Sequence, residues 1–548
     1  MEMHTMKKLE EEALKKSGTD FTRLGFALFF MIGVLTFSFL SNGGIPNNMF
    51  LAVAALIGAY MAMNIGANDV ANNVGPAVGS KAMTMTMAII IAAIFEGAGA
   101  LIAGGEVVKT IKKGIIDISA FGGNADPFIW AMMAALLAAA LWLNFATMMR
   151  APVSTTHSIV GGVMGAGIAA AGFGIVDWGT MAKIAASWVI SPVLGGVIAA
   201  GFLYAIKKSI VFKEDKVKAA KAYVPVFVAL MSWAFVTYLT LKGLKKIWPQ
   251  VVDFLNLLPL VSIEMTKKPT LFTALVLGLI TAITVYFILK AKLAKSTDTL
   301  ENTKASVNTL FTVPLIFAAA LLSFAHGAND VANAIGPLAA INDAVVNGGV
   351  SSKASIPLWV MGVGALGIAL GLALYGPKLI KTVGSEITEL DQIRAFSIAM
   401  AASITVIIAS QLGLPVSSTH IAIGGVFGVG FLREYLHLSE ADNTIKEDKE
   451  LIKDEKHTRH AYKAELQTLE KKDEKSVIEY ERIVELYKLI SDEEKIIKST
   501  KRHMKQTKKV EYVKRDAIKK IIAAWVITVP AAATLAGLLF YMIRGIMV

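Results

Sequence analysis

Residues 24–41, LGFALFFMIGVLTFSFLS, carry no charge over 18 positions. A helix rises about 1.5 Å per residue and a bilayer's hydrocarbon core is about 30 Å thick, so such a run nearly spans it. Similar runs with few charges return at 128–149, 183–206, 222–241, 270–289, 307–325, 356–375, 394–414 and 521–543. Lipid offers no partner to a backbone N–H or C=O, so each run must satisfy these groups internally, as a helix. With the polar motif segments counted too, the pattern predicts an all-α polytopic membrane protein of about 12 spans. Mean hydropathy, at +0.58 with 55% of residues hydrophobic, exceeds what an ordinary soluble domain shows. No small-x-small cleavage site follows the first run closely, so it reads as a retained span rather than a signal peptide.

The net charge of +12 raises nucleic acid as a partner, and its placement argues against it. Lys and Arg gather in 207–221 and 433–520, mixed with Glu and Asp. No one-signed stripe or nucleic-acid motif accompanies them. Basic loops beside spans mark cytoplasmic orientation. On that rule both segments face the cytoplasm of a cell (inner) membrane protein, and the tail after 543 lies one crossing away. The chain has no cysteine, which removes disulfides, haem thiolates and thiolate zinc sites.

Within this apolar background one polar string occurs twice. Gly66-Ala67-Asn68-Asp69-Val70-Ala71-Asn72 returns as Gly327-Ala328-Asn329-Asp330-Val331-Ala332-Asn333, and each copy leads to Gly-Pro, at Gly75-Pro76 and Gly336-Pro337. A second pair follows: Pro152-Val153-Ser154-Thr155-Thr156-His157 and Pro415-Val416-Ser417-Ser418-Thr419-His420, trailed by GGVMGAG (161–167) and GGVFGVG (424–430). A weaker pair, Lys109-Thr110-Ile111 and Lys381-Thr382-Val383, lies between the two motifs in each half. Shared motifs in shared order point to duplication of one unit. The chain then divides into an N-terminal segment and first span (1–44), a first repeat (45–206), a basic linker with two connecting spans (207–306), a second repeat (307–432), a charged insertion (433–520) and a C-terminal span (521–548). The insertion is rich in helix formers. Ile478, Ile483, Leu486, Leu489 and Ile490 recur at helical spacing, which predicts a soluble helical hairpin or coiled coil supporting assembly.

An Asp near the bilayer centre costs about 2.5–3.5 kcal/mol even on lenient insertion scales. A single buried Asn reads best as a helix cross-link. Asp69 and Asp330, repeated in one string beside Gly and before Gly-Pro, read better as a coupling-ion site. Gly66 and Gly327 are expected to let the backbone bend and Pro76 and Pro337 to interrupt the ladder, giving broken helices whose freed oxygens suit a small hard cation. Sodium or a proton fits that donor set. The triplets Ser154-Thr155-Thr156 and Ser417-Ser418-Thr419 follow Pro-Val and precede apolar helices, which makes them helix starts with unpaired N–H groups. Such starts also favour anions, and two facing each other would wrap a tetrahedral oxyanion. Arg150 is the nearby cation in the first half, with Gly413 at the offset position. A cation at the Asp would favour the anion and the anion the cation, the linkage that symport requires. A carboxylate that accepts a proton from the anion would prefer monohydrogen phosphate to sulfate.

Other polar residues read more simply. His157 and His420 are expected to pack and to hydrogen-bond between helices. Adjacent helix positions do not face each other, so Thr156-His157 makes a poor nucleophile–base pair and a hydrolase is disfavoured. Asp in both motifs also disfavours an anion channel. His326 has Ile65 at its offset position and is set aside from a symmetric site. Glu96 and Gln411 lack repeat partners, and Gln411 is a weak candidate cation ligand. Gly161-x3-Gly165 and Gly424-x3-Gly428 are expected to serve close helix packing.

At the two GANDVAN strings and the two hydroxyl triplets the sequence resembles the inorganic phosphate transporter (PiT) family, and its sodium-coupled prokaryotic members most. The resemblance covers 45–206 and 307–432. It implies two homologous halves in an inverted-topology repeat with broken or re-entrant helices, sodium- or proton-driven phosphate uptake and a homodimer in the bilayer. It implies no catalytic residues and no cofactor beyond co-transported sodium. Carried over by motif, phosphate ligands would come from Asp69, Val70, Ala71, Asn72, Ser154, Thr155, Thr156, Asp330, Val331, Ala332, Asn333, Ser417, Ser418 and Thr419. Sodium would be served by Asn68, Asp69, Asn329 and Asp330, with Ser154 and Ser417 added to that set, and from the residues' own reading Gln411 joins it. Some relatives move sulfate, so a proton-coupled phosphate or sulfate permease of the same fold is the alternative.

Overall fold

The computed structural model describes residues 2–548 apart from 47, 106, 109–110, 112–113, 122–124, 246, 258–263, 297–299, 348–355, 386–388 and 509–511. The Lys109-Thr110 half of the weaker repeat pair lies outside the described residues. The long helices are α1 (Glu2–Ser41), α2 (Asn48–Asn68), α3 (Val70–Gly79), α4 (Met85–Ala103), α5 (Ala125–Met148), α6 (Thr155–Ala171), α7 (Trp178–Ile206), α8 (Lys216–Tyr238), α9 (Leu271–Ser296), α10 (Thr312–Asn347), α11 (Leu358–Ser385), α12 (Gln392–Gln411), α13 (Ser418–Glu470), α14 (Val477–Lys508) and α15 (Arg515–Met547). Among the described residues 12 helical stretches are long and apolar enough to cross a membrane. The fold is an all-helical, multi-pass membrane protein.

The chain forms two units, Met1–Val429 with Arg515–Val548, and Gly430–Lys514. In the second, helical segments up to Glu470 and from Val477 form a hairpin. Leu466, Leu486 and Ile490 make its seam, with Ile483 against them. Arg482 grips Glu465 through two nitrogens at 2.8 and 3.2 Å, and Ser476 and Glu479 cap the turn reciprocally. Ile478 stays 77% exposed in the first turn of α14, off the seam that its spacing suggested.

In the first unit, α5 and α6 form a helical hairpin. Residues 115–117 pair with 175–177 through Asp117 N to Ile175 O (2.7 Å) and Asp177 N to Ile115 O (3.0 Å), so the approach to α5 and the exit from α6 share one level. The turn at 149–154 lies at the far end, against Asn68, with Val153 N donating to Asn68 Oδ1 at 3.1 Å. α12 and α13 make the corresponding turn at 412–417, where Asn329 Nδ2 donates to Leu414 O at 3.4 Å.

The glycines show how these helices pack. A Cβ at Gly161 or Gly165 would overlap the backbone of Val529 or Ala533 on α15, and one at Gly424 or Gly428 would overlap Pro192 or Gly196 on α7. The close packing expected of both Gly-x3-Gly pairs is therefore present. Gly66 meets the carbonyl of Ile368 on α11, and Gly327 meets that of Glu96 on α4. Gly75 meets Val383 and Gly336 meets Ile111. Each half's motif helix thus packs on a helix of the other half.

That packing corrects one expectation. The second GANDVAN segment is not bent open, while the first changes helix at Asp69, where α2 ends and α3 begins. α10 runs unbroken through Gly327 and Pro337, and Asp69 keeps helical angles (φ −78°, ψ −39°) with its N–H bonded to Ile65 O at 2.9 Å. Here glycine's missing Cβ serves helix approach rather than bending, and one proline removes one N–H without ending the ladder around it. The longer interruptions fall at the hairpin turns, 149–154 and 412–417.

Candidate functional site

Ser154 and Ser417 cap their helices as the sequence predicts. His157 N donates to Ser154 Oγ at 3.1 Å and His420 N to Ser417 Oγ at 3.2 Å. The two starts meet, since Thr156 Oγ1 donates to Val416 O of the opposite turn at 2.9 Å. Between them lie the carboxylates. Thr155 donates to Asp69 Oδ2 at 2.5 Å, and Thr419, from the other half, donates to Asp69 Oδ1. Ser418 donates to Asp330 Oδ2 at 3.0 Å. The amides orient these hydroxyls: Asn72 Nδ2 donates to Thr419 Oγ1 at 2.8 Å and Asn333 Nδ2 to Thr155 Oγ1 at 2.9 Å. Every one of these residues is buried, as are Val70, Ala71, Val331 and Ala332.

Asn68 and Asn329 have a second task. Asn68 Nδ2 donates to Thr147 Oγ1 and Ala151 O at 2.9 and 3.2 Å, and Asn329 Nδ2 donates to Ser410 Oγ at 3.1 Å. Each amide thus fastens a hairpin turn to the helix carrying the neighbouring Asp. Gln411 ends α12 half-buried, with no bond to either motif carboxylate among the described residues.

Repeat symmetry had set His326 aside, and the structure brings it into the site. Its Nδ1 lies 2.7 Å from Glu96 Oε2 and its Nε2 lies 3.0 Å from Asp330 Oδ2, all fully buried. Asn73 Nδ2 donates to Glu96 Oε1 at 2.7 Å. The counterparts of His326 and Glu96 are Ile65 and Ile368, which occupy the corresponding contact in the other half. No local pattern marks this pair. Its only signal was two buried-looking polar residues, Glu96 and His326, without repeat partners.

Asp69, His326 and Asp330 offer ligand atoms that all lie within 4.8 Å of one another. Two carboxylates that close repel by about 3–4 kcal/mol at an effective dielectric of about 20. The arrangement therefore favours bound cations, and the all-oxygen donors around Asp69 suit a hard one. His157 and His420 do not join this group. Their ring centroids lie 4.4 Å apart, with His157 tilted against Trp188 at 3.8 Å and His420 stacked on Trp525 at 3.6 Å. The rings pack as expected, but the hydrogen bonds between helices expected of them are absent among the described residues.

A buried, charged, duplicated site where two hairpin turns meet, inside a 12-span helical bundle, defines a membrane transporter. The sequence matches the phosphate transporter family over residues 65–536, and the chain belongs to that family. A protein of Helicobacter pylori bearing the name "Putative phosphate permease" is 49% identical over 550 residues, covering 98% of each chain. A protein of the same name from Haemophilus influenzae is 38% identical over 382 residues, 70% of this chain and 87% of its own. A solved structure titled "The sodium-dependent phosphate transporter" superposes with a TM-score of 0.69 at 29% identity, covering 90% of this chain and 99% of that one. The family is one of phosphate permeases, not of enzymes.

Proposed function

We propose that this transporter is a sodium-coupled phosphate symporter working by alternating access. One observation carries the reading: Asp69 and Asp330, one from each repeat, share a buried centre with hydroxyls from two opposed helix starts. Sodium at the carboxylates would relieve their repulsion, and phosphate would take the helix-start donors. Each ion then lowers the cost of binding the other. Asp69 to Asn72, Asp330 to Asn333, Ser154 to Thr156 and Ser417 to Thr419 form the proposed anion shell. Asp69 and Asp330 supply the cation's charge, with Asn68, Asn329, Ser154, Ser417 and Gln411 as further oxygens. The solved sodium-dependent relative supports the choice of cation.

The halves are proposed to be inverted repeats, consistent with α5–α6 and α12–α13 meeting tip to tip and with the paired glycine contacts. α7 and α15 then correspond, so Arg515–Val548 joins the second repeat. Asn302 bonds Glu214 and Lys216, and Asn308 bonds Gln392. This puts the start of α12 on the face of the basic 207–221 linker, which we read as cytoplasmic in an inner membrane, together with the inserted hairpin. Assembly as a homodimer completes the proposal.

Radiolabelled phosphate uptake into proteoliposomes tests it. A sodium gradient should drive uptake, and sulfate should compete poorly. Uptake indifferent to sodium but driven by a pH gradient would replace sodium with protons. The direct line of Glu96, His326 and Asp330 is the observation that favours that second reading.

A further inference from the structure

Between α1, α2, α11 and the turn of the first hairpin lies a cavity of about 600 Å³. Three cations line it, Arg23, Arg150 and Lys378, against one acid, Asp20, which pairs with Arg23 at 3.4 Å. Neither Arg150 nor Lys378 pairs with an acid among the described residues. The inner wall includes Ala67 and Thr147. Thr147 Oγ1 is the acceptor for Asn68, the residue before Asp69. The cavity therefore reaches the edge of the central site.

The duplication supplies an internal control. The counterparts of Met63, Ala67, Asn144 and Tyr375 along this wall are Phe324, Ala328, Ile407 and Ala103. Those residues form an apolar cluster that Tyr238, with Phe235 and Leu239 of the same region, packs shut. One half keeps open, basic space where the other is filled with hydrocarbon.

Arg150 itself adds a backbone argument. It stands at φ +55°, and its counterpart Gly413 stands at φ +67°. The left-handed region disfavours a residue with a Cβ and suits glycine. Keeping arginine in that conformation points to a task for its side chain.

We propose that this cavity is a second anion site, separate from the central one, which holds a phosphate group between Arg150 and Lys378. The ligand rests on the reading of the protein as a phosphate transporter. Both cations are water-exposed, so they hold the anion weakly and raise its local concentration rather than trap it. On the proposed topology the cavity opens to the cytoplasm, and the site is a waypoint for phosphate leaving Asp69. The phosphodiester of an anionic lipid has the same chemistry, and the test separates the two.

The native chain has no cysteine, so Asn144→Cys places a single thiol in the cavity wall. Its reaction with membrane-impermeant anionic and cationic thiosulfonates is followed in phosphatidylcholine vesicles. The anionic reagent should react faster than the cationic one, and adding Arg150→Gly with Lys378→Gln should shift that ratio by about tenfold. Inorganic phosphate should slow the reaction severalfold. Protection should persist with Asp330→Asn and vanish with the paired cation substitutions. Protection seen only with phosphatidylglycerol in the vesicles would assign the site to a lipid headgroup. Absence of protection by either source, or its loss with Asp330→Asn, would overturn the second site. Arg150→Gly should unfold no earlier than the native chain, since glycine is the counterpart's own residue, so lost protection would not be misfolding. Uptake by the native protein reports on phosphate transport independently of this binding readout.

Discussion

At the residue scale the site is a set of carboxylates whose partners come from both halves. Asp69 receives Thr155 from its own repeat and Thr419 from the other. Removing either negative charge removes the reason for a cation to bind there. Asp69→Asn and Asp330→Asn are each expected to reduce sodium-driven phosphate uptake to background while leaving monodisperse protein in detergent. Full uptake in both would rule out the site assignment. His326 makes a second prediction. With both ring nitrogens against carboxylates, His326→Leu leaves buried charge unpaired and should destabilise the fold by about 3–5 kcal/mol. Adding Glu96→Leu should recover much of that loss, because it removes the unpaired carboxylate and leaves the apolar residue types, Ile65 and Ile368, that the other half has at these positions. Thermal unfolding of the four members of the cycle measures the coupling. The carboxylates and hydroxyls of this site were legible as a repeated string. The His326–Glu96 contact was not, since it joins residues 230 apart and occurs in one half alone.

At the scale of elements, helix starts and glycine faces behaved as their local chemistry dictates. The Ser caps and both Gly-x3-Gly pairs act within a turn or two of their own sequence, so pattern was enough to identify them. The bend expected in the second GANDVAN segment is absent because a glycine can serve either backbone freedom or close approach, and only the neighbouring helix decides which. The inserted hairpin allows a pH test. Hydrogen bonds from Lys472 and Ser476 hold the exposed Glu479 carboxyl down, from its ordinary 4.5 to about 2. A depressed carboxylate contributes its stabilisation fully above its unfolded value and loses it as pH falls through the folded one. Amide protection at 476–480, corrected for intrinsic exchange rate, should hold down to about pH 4.5 and fall towards pH 2. Unchanged protection across that window would show that the capping box is not what orders the turn.

For the whole molecule, the unequal halves define one conformation. An open basic cavity flanks the first hairpin, and an apolar cluster with Phe235 against Phe324, ring centroids 5.6 Å apart, fills the equivalent space. On the proposed alternating access between inverted halves, that cluster must open when the cavity closes. Phe235→Cys with Phe324→Cys, in this otherwise cysteine-free chain, should be joined by a short bifunctional thiol cross-linker, which should stop phosphate uptake. Continued uptake by the cross-linked protein would show that α8 does not need to leave.

The amino-acid sequence alone determined the membrane helices, the duplication, the helix starts that present hydroxyls and the water-facing hairpin. Each of these follows from burial periodicity, charge or capping, which act over a few residues of chain. Tertiary structure decided which carboxylate meets which hydroxyl, that His326 bridges Glu96 to Asp330, that α10 runs unbroken through its motif and that one half is open where the other is plugged. These depend on which helices approach closely enough for their backbones to touch. Two halves with the same motifs can pack differently around them, and no local pattern records that difference.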